Sequence, residues 1–317
     1  MATLSRKSVA LLFLGGAAID ERDRLGDSVS RAAHVKPWMG RMAEMDIIAD
    51  TKGFFIADGL GHVGIRDWSR AARTIVEQYQ EFDGFVVVHQ FGTVPTAAFA
   101  LSLILGQIGK PVVITGSPLL SAAERAAGVP KLKIATGGEF GARANFINAV
   151  QVAVSDVAGV TVVYGSHIYR GETLAGSMTA LAGEVLGKID FGIRFFGQQS
   201  KRTSRKVQLH DRFEEQVAVV ELLPGVDVQR LAKSMSRTRA VFLSPTEGGV
   251  HLQAAIESLL KGLTQKTPIV LYQPNDSFEP AAPVLRVTAP TRSTALLKTM
   301  WVLGQTTNLG TMRKLLS

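Results

Sequence analysis

The sequence predicts two α/β domains, the first and larger built on a parallel sheet, the second a smaller α/β unit. Three observations carry that expectation across the 317 residues. Asp83–Pro118 runs strand, turn, helix, strand within about 30 residues, the pattern of a βαβ unit with parallel pairing and a right-handed crossover. The same alternation resumes after residue 213. Between the two lies Gln198–Phe213, which is polar, basic and nearly free of large apolar groups, as an exposed linker would be. The domains are therefore placed at 1–197 and 214–317, with a basic linker at 198–213.

Each element has its own local reason. Val9–Leu14 is a continuous apolar run, hence a buried strand, and Gly15 and Gly16 after it let the backbone turn tightly. Asp20–Asp27 mixes both charge signs around Gly26 and reads as an exposed loop, and Asp46–Ile56 offers further strand material. Asp58–Gly64 is rich in glycine, so a loop, and Arg66–Gln80 carries Trp68, Ala71, Ile75 and Tyr79 at helical spacing. In the central unit, Phe85–Val88 is the strand and Gln90–Thr93 the polar turn. Pro95 sits where a first-turn proline is tolerated, Ala97–Leu105 are strong helix formers, and Gly109 and Pro111 end the helix before the strand Val112–Ile114. Gly137–Gly141 breaks the chain, Asn145–Val154 reads as a buried helix, Val160–Tyr164 as a strand and Gly165–Gly171 as a loop. Beyond the linker, Val217–Leu222, Ala240–Leu243 and Pro268–Tyr272 read as strands. Val228–Ser234, His251–Leu263 and Thr294–Leu303 read as helices between and after them.

Composition narrows the class. Hydrophobic residues make up 46% and charged residues 20%, the balance of a globular protein with a substantial core. The absence of cysteine removes disulfides and thiolate metal sites, and the six histidines show no metal-ligand spacing with carboxylates. No cofactor motif is present: Gly59–Gly64 lacks the spacing of a dinucleotide or phosphate loop. Arg6, Lys7, the run Val9–Ile19 and the small residues Gly15–Ala18 imitate a short signal peptide, but a buried first strand ending in a glycine turn explains them too. No apolar run approaches the ~20 residues that span a bilayer, and a cytoplasmic location is expected. The net charge of +8 favours acidic partners, protein or nucleic acid, through long-range attraction. Lys201, Arg202, Arg205 and Lys206 are the best cluster for an anionic contact, set against a merely solvated linker face.

The stretches DGFVVVH and GKPVVITGS, the helix GARANFINAV, the loop YRGE at Tyr169–Glu172 and the closing run Leu296–Leu316 together resemble the bacterial-type asparaginase/glutaminase family. The matches fall in the family's order along nearly the whole chain. The resemblance implies a two-domain asparaginase-like fold and a homo-oligomer, a dimer or dimer of dimers. It also implies deamidation by a threonine just after the paired glycines, with ligand contacts around Gly15, Gly16, Asp58, Gly59 and Gln90.

Several of the implied catalytic positions are altered. Ala17 stands where the nucleophilic threonine belongs, and Phe91 and Gly92 where the family has a Thr-Asp pair. Asp156 falls near the expected lysine, Gly59 stands where a substrate-holding serine belongs, and Gly15–Thr51 contains no tyrosine. Alanine has no lone pair with which to attack, and loss of a nucleophile costs on the order of 10⁶ in turnover. A protein that keeps the fold for its surface follows, a pseudoenzyme paired with itself, an active paralogue or an acidic protein. Two other expectations stand beside it. One is an amidohydrolase rebuilt on Thr93 with His89 or Asp58, where the plainer alternative has Thr93 as a helix cap. The other is nucleic-acid binding through the Lys201–Lys206 cluster. Thr246–Gly249 could contribute across a subunit boundary or be a surface turn.

Overall fold

A computed structural model describes residues 6–14, 32–40, 42–57, 63–89, 91–116, 142–175, 181–204, 207–223, 226–235, 237–245, 252–263, 267–273 and 284–317. The chain divides into two compact units, Met1–His210 and Asp211–Ser317.

The first unit takes its shape from five parallel strands: β1 (Ser8–Leu14), β2 (Asp50–Ala57), β3 (Gly84–Val88), β4 (Pro111–Thr115) and β5 (Gly159–Tyr164). They lie in the order β2-β1-β3-β4-β5. β1, β3, β4 and β5 are mainly apolar runs because helices cover both faces, whereas the terminal strand β2 opens on Asp50, Thr51 and Lys52 and is only partly buried. Val9, Leu11 and Phe13 of β1 pack with Phe146, Ala149, Val150 and Ala153, which lie on the helix Ala142–Ala153. The alternating Ala10, Leu12 and Leu14 are equally buried. Earlier helices are α1 (Ala32–Met39), the single turn α2 (Met45–Ile48), α3 (Ile65–Glu77) and α4 (Val94–Leu105), so Ala142–Ala153 is α5. Asp46–Ile56, strand material by its sequence, splits between α2 and β2. α4 stops at Gly106, whose φ of 52° is a conformation that disfavours a side chain, earlier than the Gly109 stop expected from the sequence. Gly109 has another use: a Cβ there would lie 2.4 Å from the carbonyl oxygen of Thr203.

Gly165–Gly171, expected as a loop, contains a strand. β6 (His167–Arg170), β7 (Val185–Ile189) and β8 (Ile193–Phe195) extend the sheet in antiparallel fashion beyond β5. Their short alternating patterns carry far less signal than a buried parallel strand.

The 198–213 segment is not the free linker that its composition suggests. Its described residues up to His210 belong to the first unit and 211–213 to the second, and two backbone bonds tie it to the amino ends of the strands: Ala158 N–H donates to Ser200 O at 2.7 Å and Thr203 N–H to Gly109 O at 2.9 Å. Arg202 turns inward. Its guanidinium donates to Ser155 O and Ala153 O, both at 2.7 Å, and to Asp83 O. Helix ends leave carbonyls without intrahelical partners, and a planar donor fork satisfies several at once. Lys110 does the same for Tyr79 O and Phe82 O beyond α3. Burial lowers the pKa of that ammonium, opposed by Asp83 and reinforced by Arg202.

The second unit is a four-stranded parallel sheet in the order β12-β11-β10-β9, from β9 (Val217–Leu222), β10 (Ala240–Pro245), β11 (Ile269–Leu271) and β12 (Val284–Arg286). Val241 and Leu243 face Ala232, Ile256 and Leu259 of α6 (Val228–Ser234) and α7 (Leu252–Gly262). Phe242 faces the opposite way, toward Ala295 and Val302 of α8 (Arg292–Gln305) and Met312 of α9 (Leu309–Leu316). Three of the helix starts are chemically signed: Asp227 caps α6 by accepting from Arg230 N–H, Thr291 caps α8 by accepting from Thr294 N–H, and Asn308 caps α9 by accepting from Thr311 N–H. Among the described residues no helix is long and apolar enough to cross a membrane.

Arg202→Ala leaves three carbonyls without these donors and should lower stability by about 2–4 kcal/mol, while Arg202→Lys should recover less than half of the loss, both read from urea midpoints. Tyr164, fully buried at the end of β5, has its phenol pushed up to about 12 by burial, with Tyr169 adding to the shift. The unfolded phenol ionises near 10, so stability is unaffected below that pH and falls as the pH rises from about 10 to about 12. In Tyr164→Phe this alkaline loss shrinks, measured as the denaturation midpoint against pH.

Candidate functional site

Helices occupy both faces of the parallel sheet, so a ligand reaches it at the strand ends. The chain leaves β1 for β2 on one side and passes to β3 on the other, so the order reverses between β1 and β3. A crevice opens at the carboxyl ends of strands where such a reversal occurs. Leu14 ends β1 there, and His89 and residues 91–93 follow β3.

His89 anchors this rim. It is fully buried, and its backbone N–H continues the β3–β4 ladder by donating to Thr115 O at 2.9 Å. The Thr115 hydroxyl in turn donates to Val163 O at 3.0 Å. The His89 ring meets Trp68 from the first turns of α3, with ring centroids 6.3 Å apart. The start of α3 is held by Asp67, whose carboxylate accepts from Gly64 N–H at 3.1 Å. Trp68 Nε1–H donates to His89 Nε2 at 2.9 Å. Indole nitrogen can only donate, so Nε2 presents its lone pair and the ring proton of the neutral imidazole sits on Nδ1.

Nδ1 is the atom that faces Thr93. The Thr93 hydroxyl lies 3.5 Å from it, at the outer limit of a hydrogen bond. In this tautomer His89 donates toward Thr93 rather than accepting its proton. Thr93 occupies the cap position of α4 but makes no side-chain cap to it, so the helix-cap role expected for its hydroxyl is absent. The 3-10 turn Phe91–Thr93 joins β3 to α4. Gly92 within it is exposed, and a Cβ there would meet nothing within 4 Å. The described residues that end β1 and β3 or follow β3 (Leu14, Val88, His89 and 91–93) include no carboxylate and no amine.

The neighbouring rim is rigid. Asn145, buried on α5, donates to Gly116 O at 3.1 Å and accepts from Gly165 N–H at 2.9 Å. Asn148 donates to Gly165 O at 3.0 Å. The two amides tie the carboxyl ends of β4 and β5 to one helix, across a turn in which Gly165 has a φ of 57°.

Asp156 does not belong to this rim. It follows α5 and precedes β5, so it lies at the amino ends of the parallel strands, the opposite end from His89 and Thr93. Its side chain is exposed, and it bears on Arg202 rather than on the crevice. A charge reversal inside the site therefore cannot be argued from Asp156. Arg202 sits at the same far end with its donors committed to backbone carbonyls, which removes it from the expected anionic cluster, whereas Lys201 is exposed. Ala17, Gly15, Gly16, Asp58, Gly59, Gln90, Arg205, Lys206, Thr246–Gly249 and the Phe91 side chain lie outside what is described. No three carboxylate or imidazole groups converge as a metal site among the described residues. From the sequence, Trp68 is legible only as a core residue of an amphipathic helix. Its pairing with His89, 21 residues away, leaves no local signal.

Comparison with known proteins places this rim in context. Residues 8–180 match the family model described as asparaginase, N-terminal. A glutamyl-tRNA(Gln) amidotransferase subunit from Methanosarcina barkeri is 27% identical over 97% of this chain and 77% of its own length. L-asparaginase 1 of Escherichia coli is 34% identical over a shorter stretch, 33% of this chain and 27% of its own. Among solved structures, L-asparaginase I from Vibrio cholerae superposes with a TM-score of 0.75 at 18% identity, covering 98% of this chain and 96% of that one, a likeness of fold.

The tautomer can be tested directly. In ¹⁵N spectra His89 should show a protonated Nδ1 and an unprotonated Nε2. Trp68→Phe should lose that preference and about 1–2 kcal/mol of stability, since it strips one partner from a buried hydrogen bond. An Nε2-protonated ring in the unaltered protein would contradict the assignment.

Proposed function

The chain belongs to the asparaginase family, and from that footing we propose that it is a non-hydrolysing member, a structural or regulatory subunit that keeps the fold for its surface. The observation that supports this most directly is the Trp68–His89–Thr93 arrangement at the strand-order reversal. Covalent deamidation requires a hydroxyl and a group that takes its proton. Thr93 is the hydroxyl available among the described residues of the β3 turn, and the imidazole beside it presents a proton of its own. Ala17, whatever its placement, supplies no attacking oxygen, and Phe91 and Gly92 supply neither the hydroxyl nor the carboxylate of the pair that the family resemblance implies. Without the nucleophile, residual turnover should be lower by about 10⁶.

The partner side of the proposal draws on the relatives matched over nearly the whole chain. The amidotransferase proteins from Methanosarcina barkeri and Methanosarcina acetivorans align over 97% and 94% of it, and each is named as one component of that enzyme. A role within an assembly, with a second protein or with further copies of itself, fits that pattern. An amidohydrolase rebuilt on Thr93 remains the competing reading, and it needs another base than His89.

The purified protein should release no ammonia from asparagine or glutamine above the uncatalysed background. Release at an enzyme-like rate would refute the proposal. If such activity were found and Thr93→Val abolished it while leaving the fold intact, the rebuilt-site reading would replace it.

A further inference from the structure

The antiparallel extension of the sheet carries three basic side chains in one row. His167 lies directly opposite Lys188, and Lys188 directly opposite Arg194. Residues opposite one another on antiparallel strands share a face, and like charges so placed repel. The pKa of His167 is lowered by burial and then by Lys188. Asp190 offsets one charge through Arg194 at 3.6 Å, and the nearby Glu184 is committed to Arg170. The Ser166 hydroxyl lies 3.4 Å from His167 Nδ1. Lys188 and Arg194, the cations of this row, repel one another there, and stacking them has no use in building the sheet.

Two further features converge on the same edge. β8 is the last strand in the order and pairs with β7 alone among the described residues. Phe196 N–H donates to Leu186 O, so the alternation along an antiparallel strand turns the N–H and C=O of Ile193 and Phe195 to the open side. An uncovered strand edge is a template for another chain. Phe191, at the tip of the β7–β8 hairpin, is fully exposed, and Phe196 beyond β8 is 40% exposed. Aromatic side chains thus flank an open ladder whose central residue, Arg194, keeps 67% of its side chain in solvent.

We propose that β8 is a docking edge for an acidic, extended segment of a partner protein, which adds as a further strand with carboxylates over the His167–Lys188–Arg194 row. A second copy of this chain fits poorly, because two-fold pairing centred on Arg194 sets Arg194 against Arg194. A polynucleotide fits poorly as well, since it has no amide groups to complete the ladder. Strand addition of this kind draws affinity from main-chain bonds and selectivity from alternate side chains. The proposal rests on the reading of the chain as one component of an assembly, and it is independent of whether amides are hydrolysed.

The test uses the full chain and a fluorescent peptide of alternating glutamate and valine. Binding should weaken as salt rises, fall roughly tenfold or more in the Lys188→Glu/Arg194→Glu double variant, and fall again when the peptide carries proline at alternate positions. Lys188→Gln should weaken binding yet raise the urea midpoint of the free protein, because it relieves the repulsion in the row; a purely structural row would not give that combination. Equal binding of a lysine/valine peptide, no binding of the glutamate/valine peptide, or tighter binding of single-stranded DNA at these residues would overturn the proposal. So would a dimer in sedimentation that Arg194→Glu dissolves. Failure here with a heteromeric assembly still seen by native mass spectrometry would sink this edge and leave the assembly reading standing.

Discussion

Because helices cover both faces of the five parallel strands, a small ligand meets that part of the sheet where the strands end, and the reversal of order between β1 and β3 selects one such place. The covering is complete enough that consecutive residues of β1, from Val9 to Leu14, are all buried. A strand of that kind cannot present a side chain to solvent along its length. Among the described residues, those that reach this crevice past Val88 are His89 and Phe91–Thr93, which gives each of them weight.

The two ends of the sheet have been put to different uses. At the amino ends, Arg202 and Lys110 satisfy helix-terminal carbonyls and close the base of the unit. At the carboxyl ends, the described groups are an imidazole held by an indole, a hydroxyl and two asparagine amides bonded to backbone. The indole and the two amides hold a ring and a turn in place. Such a rim is well built for rigidity, and its described residues supply little that could move a proton from an attacking group. The lateral extension β6–β8 is different in kind. It buries less, carries its charges in an unfavourable row and leaves an edge open, the features of a surface maintained for contact rather than for stability.

The places where structure departs from sequence expectation share a cause. Counting along a helix puts Asp156 in the site, but a parallel strand begins three residues later, at Gly159, so the count runs to the wrong end of the sheet. Polar neighbours group Arg202 with exposed cations, yet its fork reaches carbonyls 47 to 119 residues distant. β6 to β8 leave weak patterns because short, half-exposed antiparallel strands alternate over too few residues, and β12 consists of three residues only.

What the sequence by itself determined was the alternation of buried strands and helices and the absence of a hydroxyl at residue 17. These are local or compositional properties, written in apolar runs, glycine and proline punctuation and residue identity. Only the tertiary structure decided which strand ends meet, which nitrogen of His89 carries the proton, where Asp156 and Arg202 lie, and that three basic residues form one row. Those depend on strand order, register and hydrogen bonds between residues far apart in the chain, and hydrophobic periodicity carries no information about partners at that distance.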